Sequence, residues 1–180
     1  VLEVTTVVQP GDPAAARPLA ERLVATHTGR AEVRLTQTCA ECGGQHGRPQ
    51  VVGGGAHVGW ARSAGLVAAV VADVPCAIDV ESLAVLRAGP LPLDLFPPAE
   101  QAWVAAQDDR VRAFARLWVR KEVLVKLGDV SLDEALGLDL LASLTGHAVL
   151  GRTLVELDAA SYDAVAAWGT DEDDSRVARS

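Results

Sequence analysis

At 180 residues, with 49% apolar and 22% charged content, the chain can form one domain or two small ones around a proper core, and it is not a largely disordered polypeptide. A net charge of −8 argues against non-specific binding to nucleic acid, and the longest apolar run, which begins at Leu66, falls far short of the roughly 20 residues of a bilayer span. Three cysteines, Cys39, Cys42 and Cys76, are too few for a disulfide framework, and with no basic-then-apolar leader at the start they imply a reducing, cytoplasmic setting.

Residues 2–8 are a β-branched run that predicts a strand, ended by Pro10 and Gly11. Residues 12–27 have helical spacing at Leu19, Leu23 and Val24, with Asp12 as N-cap, Pro13 in the first turn and Gly29 as the stop. Residues 32–36 alternate as a short strand, the Cys/Gly/His/Pro stretch 39–49 is loop, Val51 and Val52 suggest a strand, and Gly53 to Gly55 a turn. Residues 64–72 suit a strand or a buried helix, and their valines favour the strand; residues 77–81 form another. Four prolines in residues 89–98 mark a linker, which divides the chain into an N-terminal half, 1–88, and a C-terminal half, 89–169. Beyond it, residues 99–106 read as a helix. Residues 111–127 read as a longer one, apolar at Val111, Phe114, Leu117, Trp118, Leu124 and Val125 and stopped by Gly128. Residues 148–157 predict a strand, 159–168 a short helix, and 170–180 a disordered tail. The fold class is α+β.

Two features carry chemistry. In Ala77-Ile78-Asp79-Val80-Glu81 a strand sends Asp79 and Glu81 to one face, about 6.6 Å apart at Cα, within reach of one hard cation; a half-exposed strand with two acids is the ordinary alternative. In Trp118-Val119-Arg120-Lys121-Glu122-Val123-Leu124-Val125-Lys126 a helix puts Trp118, Glu122 and Lys126 on one stripe, and the ordinary alternative is a surface ion pair beside a packing tryptophan.

Taken together, in this order and spacing, the two segments resemble the signatures of the Sfp-type 4′-phosphopantetheinyl transferases: a (G/A)-(I/V)-D-(I/V)-E strand and, some forty residues on, a W-x-x-K-E-x-x-x-K helix. His46-Gly47-Arg48-Pro49 is similar to the family's H-G-(K/R)-P turn, Phe96 with Glu100 to its F-x-x-x-E entry, and Tyr162 to Ala167 to its closing Y-x-x-A-x-A helix. The resemblance spans residues 15–169.

It implies two similar α/β halves related by a pseudo-twofold axis, with coenzyme A in the cleft between them. It also implies transfer of the phosphopantetheine arm to a serine of an acyl or peptidyl carrier protein, releasing 3′,5′-ADP. Asp79, Glu81 and Glu122 would hold magnesium with the pyrophosphate; Lys126 and Lys121 would stabilise charge on it; Glu122 is alternatively the base for the serine proton. Arg48 is expected near the 3′-phosphate, with Arg17 as a further phosphate candidate. Where the family shows S-H-S or S-H-T, this chain reads Ala61-Arg62-Ser63, so Arg62 is expected to replace the histidine as phosphate donor; a coenzyme-binding homologue without transfer activity is the alternative. The carrier is expected to dock on an Arg112, Arg116, Arg120 stripe, and the pseudo-dimeric chain to be a monomer.

Cys39-x-x-Cys42 with His46 has the spacing of a zinc half-site, with His57 or Cys76 as possible completing ligands, and supports a rival reading as a zinc-stabilised interaction module. Gly53 to Gly55 is no phosphate-binding fingerprint, and Ser63 and Ser131 have no adjacent His/Asp pattern of a nucleophile.

Overall fold

A computed structural model describes residues 3–39, 42–45 and 47–171. Strand β1 (Val4–Pro10) runs two residues past the predicted end at Val8 and stops before Gly11. Asp12 then accepts a hydrogen bond from the Ala14 amide at 2.8 Å and caps a short 3₁₀ turn through Pro13, which runs into helix α1 (Ala16–Thr28); Gly29, in the left-handed region, closes it. Strands β2 (Leu35–Gln37) and β3 (Pro49–Val51) form a small antiparallel pair. Strand β4 (His57–Ser63), which the sequence does not predict, pairs with β5 (Leu66–Ala72), and β1 flanks β5 on its other side, in the order β1-β5-β4.

The ambiguity of residues 64–72 resolves as a strand buried along its whole length. Val67, Ala69 and Val71 meet Leu19, Ala20 and Val24 of α1, whereas Ala68, Val70 and Ala72 meet Ile78, Val80, Ala166 and Trp168 on the other side. A strand covered on both faces has no polar alternation to display.

Strand β6 (Ala77–Ser82) pairs antiparallel with β8 (Ala164–Asp171), and β8 with β7 (Arg152–Leu157), giving the order β6-β8-β7. Residues 164–168 are therefore strand, not the helix predicted over 159–168; only a 3₁₀ turn at Ala160–Tyr162 precedes them. β8 is central: Val165 and Ala167 pack under Ala115 and Val119, while Ala164, Ala166 and Trp168 face the other sheet. Its alanines serve close packing on both faces rather than helix propensity. Thr170 and Asp171 complete this strand rather than opening a tail, and residues 172–180 lie outside those described.

Three helices complete the second half, after the short α2 (Leu83–Arg87): α3 (Pro98–Ala105), α4 (Arg110–Leu127) and α5 (Leu132–Gly137), the last opened by a capping box between Ser131 and Glu134. α4 lies over β6 and β8 with α3 and α5 on its far side, so it is buried around most of its circumference. Phe96, Phe114 and Trp118 stack within this layer, with ring centroids 5.0 to 6.5 Å apart.

β4 and β6 run side by side in the same direction although they belong to different sheets. A Cβ on Gly59 would stand 3.3 Å from the Ala77 Cα, an approach that glycine makes possible. β6 precedes the proline linker yet hydrogen-bonds into the sheet beyond it, so the sheets interleave across the division at residue 88.

Candidate functional site

The seam between β4, β6 and α4 gathers Asp79, Glu81, Glu122 and Lys126. Along β6, Ile78 and Val80 enter the core between the sheets, and the strand's alternation sends Asp79 and Glu81 to the other face, toward α4. Asp79 is only 6% exposed. Its Oδ1 accepts a hydrogen bond from Lys126 Nζ at 2.6 Å; Lys126 also donates to the Ile78 carbonyl at 3.2 Å. Asp79 Oδ2 is buried without a hydrogen-bond partner among the described residues.

Burial pushes the Asp79 carboxyl up to about 6; the Lys126 ammonium pulls it back, and the charges of Glu81 and Glu122 both raise it. Those two carboxylates are thus close enough to be felt at Asp79. Glu81 and Glu122 are half-buried, and Glu81 Oε2 accepts from the Ser63 hydroxyl at 2.8 Å. Asp79 thus lies in the field of two further carboxylates and the Lys126 ammonium, and among the described residues its buried Oδ2 has no hydrogen-bond partner.

This donor set fits a hard divalent cation: oxygen ligands only, an excess of negative charge, and an unpartnered carboxylate oxygen that a cation would satisfy. Among the described residues, no group of three or more His, Cys, Asp or Glu side chains stands close enough together in this structure to hold a metal ion. A cation would have to draw them together.

Beside the carboxylates lies a cavity of about 490 Å³, lined by Arg48, Trp60, Cys76, Ile78, Lys126 and Gly128 among others. That volume suits part of a large ligand or the whole of a small one. Arg48 reaches across the seam and donates to the Leu127 carbonyl at 3.4 Å. The turn that presents it requires Gly47, where a Cβ would come within 2.2 Å of the Thr38 carbonyl oxygen. His46, the first residue of that motif, lies outside the described residues.

The remaining expected phosphate donors stand differently. Arg62 is exposed, and strand alternation turns it to the face opposite Ser63. Arg17 is held locally, by Glu21 at 3.2 Å and by the Leu35 carbonyl. Neither is brought to the carboxylates.

Two expectations are overturned on α4. Lys121 does not face a coenzyme: it is 0% exposed, paired with Glu100 at 2.9 Å and donating to the carbonyls of Ala135, Leu136 and Leu138. Nor do Arg112, Arg116 and Arg120 form an open stripe. Arg120 is 2% exposed and shares Glu156 of β7 with Arg116, whose guanidinium also lies over Trp103. Arg112 stays near the helix start, 3.9 Å from Asp109. Helical spacing predicted the common face of these arginines but not the strand that covers it.

The zinc reading gains little. Burial pushes the Cys76 thiol up to about 12, which opposes the thiolate that zinc requires. Cys39 and Cys42 sit in a tight turn in which the Gly43 amide bonds the Cys39 carbonyl. Sequence reasoning missed the link between Ser63 and Glu81; the only available signal was the family's serine-containing S-H-S segment aligned with residues 61–63.

No curated protein sequence matches the chain. The family model described as the 4′-phosphopantetheinyl transferase superfamily matches residues 75–174, more than half of the chain. That span holds Asp79, Glu81, Glu122 and Lys126, whereas Arg17, Arg48 and Arg62 precede it. The chain therefore belongs to the 4′-phosphopantetheinyl transferase superfamily.

Proposed function

We propose that this protein is an Sfp-type transferase that moves the phosphopantetheine arm of coenzyme A onto a serine of an acyl or peptidyl carrier protein, with magnesium. The observation that carries this reading is the Asp79 carboxylate: buried, held by Lys126 on one oxygen, unpartnered on the other, and under the field of Glu81 and Glu122. A buried charge left incomplete beside a cavity is costly for folding alone and useful for binding a cation.

In this reading Asp79, Glu81 and Glu122 hold the ion, which supplies the positive charge that lets a pyrophosphate approach three carboxylates. Lys126, in contact with both Asp79 and the cavity, orients the pyrophosphate and neutralises charge on its oxygens during transfer. Arg48, which also lines the cavity, holds the coenzyme's 3′-phosphate. The serine oxygen of the carrier bonds to the β-phosphorus, the bridging P–O bond breaks, and 3′,5′-ADP leaves with those electrons. In this reading Glu122 either holds the ion or takes the serine proton. Glu122→Gln distinguishes the two: retained metal affinity with lost transfer marks the base.

The reading treats residues 1–88 and 89–169 as two α/β halves related by a pseudo-twofold axis, working as a cytoplasmic monomer. The test is to incubate the protein with magnesium, coenzyme A and an apo carrier and then weigh the carrier. A gain of about 340 Da, the mass of the arm, is the expected result. Coenzyme binding without that gain would instead identify a non-transferring homologue, for which Arg62 in place of the family's histidine is the motive.

A further inference from the structure

We infer that Ser63 is a positioning residue for the cation site, holding Glu81 in place across the junction of the two sheets; the inference rests on the reading of Asp79, Glu81 and Glu122 as ligands.

Ser63 is the last residue of β4, and Glu81 and Ser82 close the neighbouring β6. These strands lie side by side in different sheets, and among the described residues no backbone ladder joins them. At this end of the seam the connection is made by the Ser63 hydroxyl. Its oxygen accepts from the Ser82 amide at 3.1 Å, and its proton is given to Glu81 Oε2 at 2.8 Å. A hydroxyl has one proton to donate, so both its roles are used and its direction is fixed. A serine engaged in this way is not a nucleophile in waiting.

The consequence falls on the carboxylate. Glu has three rotatable bonds and, half-buried at a strand end, would sample several poses. Bonded to Ser63 through Oε2, it has one oxygen anchored, while Oε1 has no partner among the described residues. Partners of metal-binding carboxylates are worth about 10–100-fold in metal affinity when removed. Asp79 needs no such help, since Lys126 already fixes it. Glu81 depends on a side chain from the other sheet, so the ion's affinity becomes sensitive to how β4 sits against β6.

The test compares Ser63→Thr with Ser63→Val. Both are β-branched and similar in volume, and they differ in the hydroxyl. Manganese binding is measured by electron paramagnetic resonance in the presence of coenzyme A, with transfer measured across a magnesium titration. Ser63→Thr should bind the ion nearly as tightly as the unsubstituted protein. Ser63→Val should bind it about 10–100-fold more weakly and should regain most of its transfer rate at saturating magnesium. That recovery is one a generally damaged fold would not show. Equal manganese affinity in the two variants overturns the role of Ser63. Absence of manganese binding in the unsubstituted protein overturns the underlying site as well, so the two failures are distinguishable.

Discussion

Helix α4 carries two lysines, five residues apart and about 140° apart around its axis, and they occupy opposite kinds of charged environment. Lys121 meets Glu100 one to one, both 0% exposed, and its ammonium lies within hydrogen-bond distance of three backbone carbonyls and over the Phe96 ring. Glu100 in turn accepts from the Leu140 amide at 2.7 Å. Burial lowers the lysine and raises the acid, and the charge of each partner opposes that shift in the other. Lys126 instead serves one oxygen of one acid in a group of three, and among the described residues the other oxygen of that acid is buried with no hydrogen-bond partner. In the first set each charge has one counter-charge, since Glu100 Oε2, which among the described residues has no hydrogen-bond partner, lies 2.9 Å from Lys121 Nζ, and the set ties α3, α4 and α5 together. The second is open, and it borders a cavity. A buried charge that the fold completes for itself is architecture; one left incomplete beside a cavity is where a ligand belongs.

The sharpest way to break this comparison is Asp79→Asn. Transfer should fall on the order of 10³-fold, since the proposed ion would lose its most buried ligand. The metal-free protein at pH 8 should be no less stable, because the amide keeps the bond with Lys126 and removes an unmatched charge. Marked unfolding of this variant would mean that Asp79 is structural, as Glu100 is.

Lys121→Met should behave in the reverse sense. It leaves Glu100 buried and unpaired, so urea denaturation should show a loss of about 3 kcal/mol or more. A loss of only a few tenths would contradict the architectural role.

The pH dependence of the metal-free protein sharpens the contrast further. Asp79 titrates near 3.8 when unfolded and near 6 when folded, so between those values the folded state holds the extra proton. Stability from this group is therefore present below about pH 4 and lost as pH rises through 6, on the order of 3 kcal/mol in all. Thermal melts of the protein and of Asp79→Asn across that range should diverge as pH rises, and parallel curves would contradict the burial of an unmatched carboxylate. The smallest effect is expected at Arg116→Gln. Its pair with Glu156 is about one-third exposed on each side and Glu156 keeps Arg120, so stability should change by less than about 1 kcal/mol.

What the sequence made legible follows from locality. The acids of β6 and the Glu122/Lys126 stripe could be read because strand and helix periods place neighbours two or four residues apart on one face. Lys121 and Arg120 could not, because α4 is covered on almost every side, and a helix in the middle of a layer buries charges that a surface helix would expose. Residues 164–168 misled for a related reason. Alanines chosen for a strand squeezed between a helix and a second sheet look like helix formers when read alone. β4 was hidden by Gly59, Arg62 and Ser63, whose places are set by β6 and solvent rather than by their own propensities. The contact between Ser63 and Glu81 joins residues 18 apart and in different sheets, a relation that no local pattern encodes.

The central claim is that three carboxylates from β6 and α4 share one divalent ion. It is tested most directly by a crystal structure of the protein with coenzyme A and manganese, read from the anomalous signal of the metal. The account predicts one peak at about 2.0–2.3 Å from oxygens of Asp79, Glu81 and Glu122. A fully occupied ion elsewhere, with Glu122 turned away from Asp79, would contradict it.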